Sequence, residues 1–146
     1  MPGLLSHVYK LPDFEKVTTI PIPLFLSTVQ AGFPSPADDY IEEALDLHEL
    51  LISHPAATFF VKAQSYSMTG AGIFPGDLLV VDRSLQASDG AVVIALLDGE
   101  FLVKRFRKSK GSIYLVSENP DYKPIKITPE AEFQVWGVVT HVIHSV

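Results

Sequence analysis

From residue 57 onward the chain falls into short apolar runs broken by turn residues. The runs are "ATFFVKA" (57–63), "GDLLVVD" (76–82), "AVVIALL" (91–97), "EFLVKRF" (100–106), "SIYLVSE" (112–118), "PIKI" (124–127) and "FQVWGVVTHVIH" (133–144). Each is rich in β-branched and aromatic residues and predicts a strand. Asp98-Gly99 separates two of them and is the strongest short signal for a tight hairpin. Lys110-Gly111 marks the next turn. Short strands with frequent turns predict a mainly β, twisted antiparallel sheet domain.

The first 40 residues read differently. Pro2, Pro12, Pro21, Pro23, Pro34 and Pro36 interrupt any periodicity. Proline removes amide donors and biases its predecessor toward extended backbone, so an extended arm is expected. Next, "DLHELLISHP" predicts a short helix over about 47–53. Asp46 with Glu49 three residues on fits an acidic capping box, Leu47, Leu50 and Leu51 have helical spacing, and Pro55 stops it. The expected organisation is an arm over 1–40 and a β-rich domain over 41–146. Asp38, Asp39, Glu42 and Glu43 read as a solvated acidic face, not a metal site, having no histidine at ligand spacing.

Composition narrows the function. Hydrophobic residues make up 47% of 146, enough for one packed domain. No apolar run reaches the length of a bilayer span and no basic-then-apolar secretory signal opens the chain, so a soluble, cytoplasmic protein is expected. The absence of cysteine excludes disulfides, thiolate zinc and a cysteine nucleophile. No metal or cofactor is expected. Seventeen acidic against eleven basic residues give a net charge of −6, which disfavours direct binding to phosphate backbones. The basic stretch from Lys104 to Lys110 reads as a solvated hairpin end.

Two stretches carry the candidate chemistry. Along "EFLVKRF", alternation puts Leu102, Lys104 and Phe106 on one face. A lysine between two large apolar residues either lays its stem on them and sends its ammonium to water, or sits dry and becomes a neutral base. In "AQSYSMTGAG", Ser67 follows a strand and opens a glycine-rich turn, where a hydroxyl is exposed and backbone amides can face an oxyanion. A serine hydroxyl needs a base before it attacks, and a lysine of lowered pKa serves. "TGAGIFPGD" lacks the glycine and lysine spacing of a phosphate loop and reads as a turn. His7, His48, His54, His141 and His144 form no ligand pattern; the last two are an odd number apart and face opposite ways on a strand.

Together these stretches resemble the LexA/UmuD family of serine–lysine self-cleaving proteins. Ser67-Met68, then Gly76 to Asp82, then the hairpin from Asp98 to Lys104, and Trp136 to Val139 stand in the family's order. Upstream, "AGFPSPADDY" resembles the cleavage region of the UmuD branch. About 55 proline-rich, acidic residues precede the first core strand, leaving no room for the helix-turn-helix domain of the LexA branch. The resemblance implies the LexA/signal-peptidase-like fold, with Ser67 as nucleophile, Lys104 as general base and Ala31–Gly32 as the bond cut. It further implies a homodimer, cleavage prompted by the RecA–single-stranded-DNA filament after DNA damage, and a shortened product that serves a UmuC-like Y-family translesion polymerase. Sequence-specific DNA binding and membrane association are not expected.

The chain departs from the family at "QSYSM", where Ser65 stands in place of the usual glycine. A positive φ there would be strained for serine. Alternatively the Ser65 hydroxyl joins the Ser67 amide in holding the oxyanion, as a serine two residues before the nucleophile does in leader peptidases. A rival expectation follows from Ser65 and Tyr66 together, both of which depart from the family: a catalytically impaired dimer that acts only through polymerase and RecA contacts.

Overall fold

The computed structural model describes residues 8–10, 22–25 and 41–146. The strands, in chain order, are β1 (Val8–Lys10), β2 (Ile22–Phe25), β3 (Ile41–Leu45), β4 (Thr58–Lys62), β5 (Leu78–Asp82), β6 (Val92–Leu97), β7 (Glu100–Ser109), β8 (Ser112–Val116), β9 (Ile125–Lys126) and β10 (Phe133–Ile143). Eight of them form one sheet in the order β1-β4-β5-β10-β6-β7-β8-β9, and β2 pairs with β3 in a second, two-stranded sheet. Every pairing is antiparallel. This is the mainly β architecture the run pattern predicts.

The turns form where local chemistry demands them. Asp98 and Gly99 both take positive φ, +47° and +84°, as do Lys110 and Gly111, at +50° and +78°. Two successive positive-φ residues make the turn whose twist matches that of the flanking strands. The β6–β7 register then follows without a shift, from Leu97↔Glu100 to Val92↔Arg105.

The last strand, β10, is inserted between β5 and β6, and it bends to fit. Its register shifts between Val135 and Gly137 and again between Val139 and His141. Gly137 sits at the first irregularity, where a Cβ would meet Val81 Cγ1 at 2.5 Å. The bulge lets β10 twist enough to serve both neighbours. Alternation on β6 buries both faces: Ile94 joins Val61, Met68, Leu79 and Val81 on one side, while Val93 and Ala95 join Phe106, Leu115 and Val138 on the other.

The helix α1 spans Leu47–Leu51. Asp46 caps it, its carboxylate accepting from the His48 and Glu49 amides. Residues 41–45, which include two residues of the expected acidic face, form β3, paired with β2 from the arm. That pairing is non-local, so no period in "IEEAL" announces it. Asp38 and Asp39, the side chains of Glu42 and Glu43, His7, and the predicted scissile residues Ala31 and Gly32 lie outside what is described. In sequence, Ala31–Gly32 falls between β2 and β3. Among the described residues no helix is long and apolar enough to cross a membrane.

Candidate active site

Ser67 and Lys104 line the same cleft, a space of about 580 Å³ bordered also by Ser65, Phe101, Leu102 and Tyr122. Ser67 is 3% exposed and Lys104 7%. The strand alternation therefore decided the lysine's place: it is buried beside partly buried Leu102 and buried Phe106. Burial pushes its amine below the ordinary lysine value of 10.5, because removal from water disfavours the ammonium. Its hydrogen bond goes to Ser117 Oγ at 2.6 Å. Tyr122 covers it, with the ring centroid 5.2 Å from Nζ. No carboxylate pairs with this amine in the described residues, so nothing offsets desolvation with an opposite charge.

Ser67 is set by a tight turn after β4. Met68, fully buried, is its anchor: the Met68 carbonyl accepts from the Ala71 and Ile73 amides at 3.0 and 3.2 Å, and a short 3-10 turn over Thr69–Ala71 follows. Gly72 then reverses the chain at φ +80°. Ser65 is not in the positive-φ region, so its replacement of glycine brings no backbone strain. Its hydroxyl instead accepts the Ser67 amide hydrogen at 3.0 Å. The Ser67 amide is thus held by the Ser65 hydroxyl in the cleft that both residues line.

Three consecutive residues past β8 connect the serine's turn to the lysine. Ser117 takes the Lys104 hydrogen bond. The Glu118 carbonyl accepts from the Gly70 amide at 2.7 Å, and the Asn119 amide group donates to the Tyr66 carbonyl at 2.8 Å. The approach at Gly70 is close: a Cβ there would lie 2.6 Å from the Glu118 oxygen. Arg105 fixes Glu118 from the other side at 2.5 Å and also donates to the Gly90 carbonyl. The run "SIYLVSE" predicts a strand through Glu118, whereas β8 ends at Val116, and nothing in its period marks Ser117, Glu118 or Asn119 as contacts of the site. The one available signal was a run of hydrogen-bonding residues before Pro120, the composition of a structured turn.

The histidines stand elsewhere. His54 Nδ1 lies 2.6 Å from Asp82, whose other oxygen accepts from the Ser84 hydroxyl at 2.6 Å. The carboxylate sits between serine and histidine, so the imidazole does not touch the hydroxyl and the set does not form a nucleophilic triad. His144 pairs with Asp77 at 2.6 Å. Burial raises the Asp77 carboxyl, but the Phe74 amide and His144 outweigh it and the net displacement is downward; Asp82 behaves alike through Ser84 and His54. Asp82 ends β5 and Asp77 directly precedes it, so the two pairs tie both ends of that strand to their surroundings.

Comparison with known proteins places this geometry in a family. Residues 23–140 match the Peptidase S24-like family. The chain is similar to Protein ImpA of Salmonella typhimurium, 50% identical over 142 residues and 96% of each chain. It is similar to Protein MucA of Escherichia coli, 45% identical over 82% of each chain. It is also 39% identical to the LexA repressor of Shewanella baltica over 127 residues, which span 87% of this chain and 61% of the repressor. A mainly β sheet with a buried serine and a buried lysine in one cleft, together with these matches, identifies the chain as a UmuD-like member of the Peptidase S24-like family.

Proposed function

We propose that the chain is a self-cleaving serine endopeptidase of the DNA-damage response, working through a Ser67–Lys104 dyad. The observation that carries this is the Lys104 amine: buried, lowered in pKa by desolvation, and in the cleft that holds Ser67. Neutral Lys104 takes the Ser67 proton as the oxygen attacks the Ala31 carbonyl. The resulting ammonium returns that proton to the Gly32 nitrogen as the Ala31–Gly32 bond breaks. Water, deprotonated by the same amine, then hydrolyses the Ala31 ester and restores Ser67. The Ser67 amide and the Ser65 hydroxyl hold the oxyanion once substrate displaces their mutual hydrogen bond. Ala31 carries only a methyl group and Gly32 presents no side chain to the attacking oxygen. Tethering supplies the substrate at high effective concentration, so a modest catalyst suffices.

The domain division at 40/41 follows from this reading, the arm being substrate and the rest enzyme. The similarity to ImpA, MucA and the LexA repressor supports a place in the SOS response and in mutagenesis. There the RecA–single-stranded-DNA filament prompts cleavage, and the shortened homodimer serves a Y-family translesion polymerase in the cytoplasm.

Incubation of the purified chain at pH 9–10 is the test. Mass spectrometry should find fragments 1–31 and 32–146 with no partner added, and a Lys104→Ala chain should yield neither. An intact chain after prolonged alkaline incubation would instead support the dimeric binding module, in which only partner contacts matter.

A further inference from the structure

The eight-stranded sheet ends very differently on its two sides. One end is β9, two residues long and preceded by Pro124, a blunt edge of the kind that resists further pairing. At the other end the last strand of the enzyme domain is β4. It pairs with β5 over five residues with no shift, from Thr58↔Asp82 to Lys62↔Leu78. It has no proline, no bulge and no inward charge; Lys62 is its only ionic residue and is exposed. Among the described residues the outer side of β4 pairs with β1 alone, over Phe59, Phe60 and Val61. β1 belongs to the arm that self-cleavage at Ala31–Gly32 would detach.

A cleft of about 650 Å³ opens beside this edge, lined by Phe60, Lys62, Leu78, Ile143 and His144. The register explains its position. Lys62 pairs with Leu78, and Leu78 with Ile143, so one face runs from the β4 edge across three strands. A strand added to β4 would place every second side chain over that face. Its main chain would supply affinity and the cleft would supply selectivity.

We propose that the β4 edge is a strand-docking site for a partner protein, with β1 as its built-in plug. The partner supplies an extended segment that adds antiparallel to β4. The residue opposite Phe60 is large and apolar, for the Phe60–Leu78–Ile143 surface. The residue two positions before it lies opposite Lys62 and is acidic. The selective unplugging of the site rests on the self-cleavage reading; the edge and its cleft do not.

The test is made on the full chain carrying Ser67→Ala, so that no cleavage intervenes whether or not the native chain cleaves. Tyr9→Pro in that background removes a donor from β1 and leaves the domain untouched. Strand alternation turns the Phe60 amide toward β1, while those of Phe59 and Val61 face β5, as the Ala63 amide does in donating to the Asp77 carbonyl. Hydrogen exchange at Phe60 should therefore rise at least about tenfold, since this group loses its cover, with Phe59 and Val61 unchanged. NMR titration then uses a synthetic peptide of residues 4–12 carrying His7→Glu, which puts an acid two positions before Tyr9. It should perturb β4 and the Ile143–His144 signals in the Tyr9→Pro chain and not in its parent. The same peptide with His7→Lys should bind about two- to fivefold more weakly, the scale of one cross-strand charge pair. Unchanged exchange at Phe60 in the Tyr9→Pro chain, or an exposed amide that no peptide perturbs, would overturn the docking site; equal affinity of the two peptides would overturn the acidic requirement. Alkaline cleavage, scored separately on the native chain, decides the protease reading alone.

Discussion

The proposed chemistry turns on a single buried amine. Lys104 lies dry on β7 with Ser117 as its hydrogen-bond partner. A lysine whose folded pKa is lowered is unfavourable while charged. Its unfolded form binds more protons, so its contribution to stability improves as pH rises from the folded toward the unfolded value. Lys104→Met should therefore melt higher than the native chain at pH 7, and differential scanning calorimetry should show that advantage shrinking as pH approaches 10. Cleavage should rise over the same range, as the neutral fraction grows. Ser117 holds the amine in place, and Ser117→Ala should slow alkaline cleavage about tenfold, a loss of orientation. Ser117→Thr, which keeps the hydroxyl, should restore most of the rate; native rates in Ser117→Ala would show that packing alone aims the lysine. At Ser65 the outcome is sharper still. Ser65→Ala should cleave at least about tenfold more slowly with unchanged melting; complete loss of an oxyanion donor costs on the order of 10²–10³. Equal rates in Ser65→Ala, with faster ones in Ser65→Gly, would remove the hydroxyl from the mechanism.

Between residue and fold stands the segment Ser117–Asn119, which holds the Ser67 turn against the Lys104 strand. Its grip depends on Gly70, which admits the Glu118 carbonyl where no side chain fits. Gly70→Ala should destabilise the chain by about 1–3 kcal/mol, the usual penalty of overpacking, as measured by urea unfolding. It should also lower cleavage more than that loss of folded protein explains, because the serine shifts relative to the lysine. Little of this element was legible beforehand. "SIYLVSE" announces a strand by its pattern, but nothing in its period says which turn its end will meet. β3 is a similar case. Its two glutamates suit a solvated surface, and only pairing with β2 makes the segment a strand. By contrast, the helix start, the Asp46 cap and both positive-φ hairpin turns follow from residues a few positions apart, although the helix ends at Leu51, two residues short of the expected 53.

For the whole molecule, the proposed scissile bond falls between two paired strands. Cleavage at Ala31–Gly32 leaves β1 and β2 on the smaller fragment, held to the larger, among the described residues, by the three-residue β1–β4 pairing and by the pairing of Ile22–Phe25 with Ile41–Leu45. An isolated two-stranded ribbon is marginal in water. Fragment 1–31 should separate from 32–146 on gel filtration after alkaline cleavage, taking β1 from the β4 edge with it. Co-elution at micromolar concentration would show that the arm stays docked after the cut. Release is what would turn a covered sheet edge into a contact surface.

The amino-acid sequence by itself determined the strands from 57 onward, the tight hairpins and the face on which Lys104 lies. Alternation and φ preference act between neighbours, and those are legible in a string. Tertiary structure alone decided that β10 enters between β5 and β6, that Ser117 receives the lysine, and that an arm strand caps β4. These are choices among distant partners, made by burial and unpaired backbone groups when the sheet closes, and no local period encodes them.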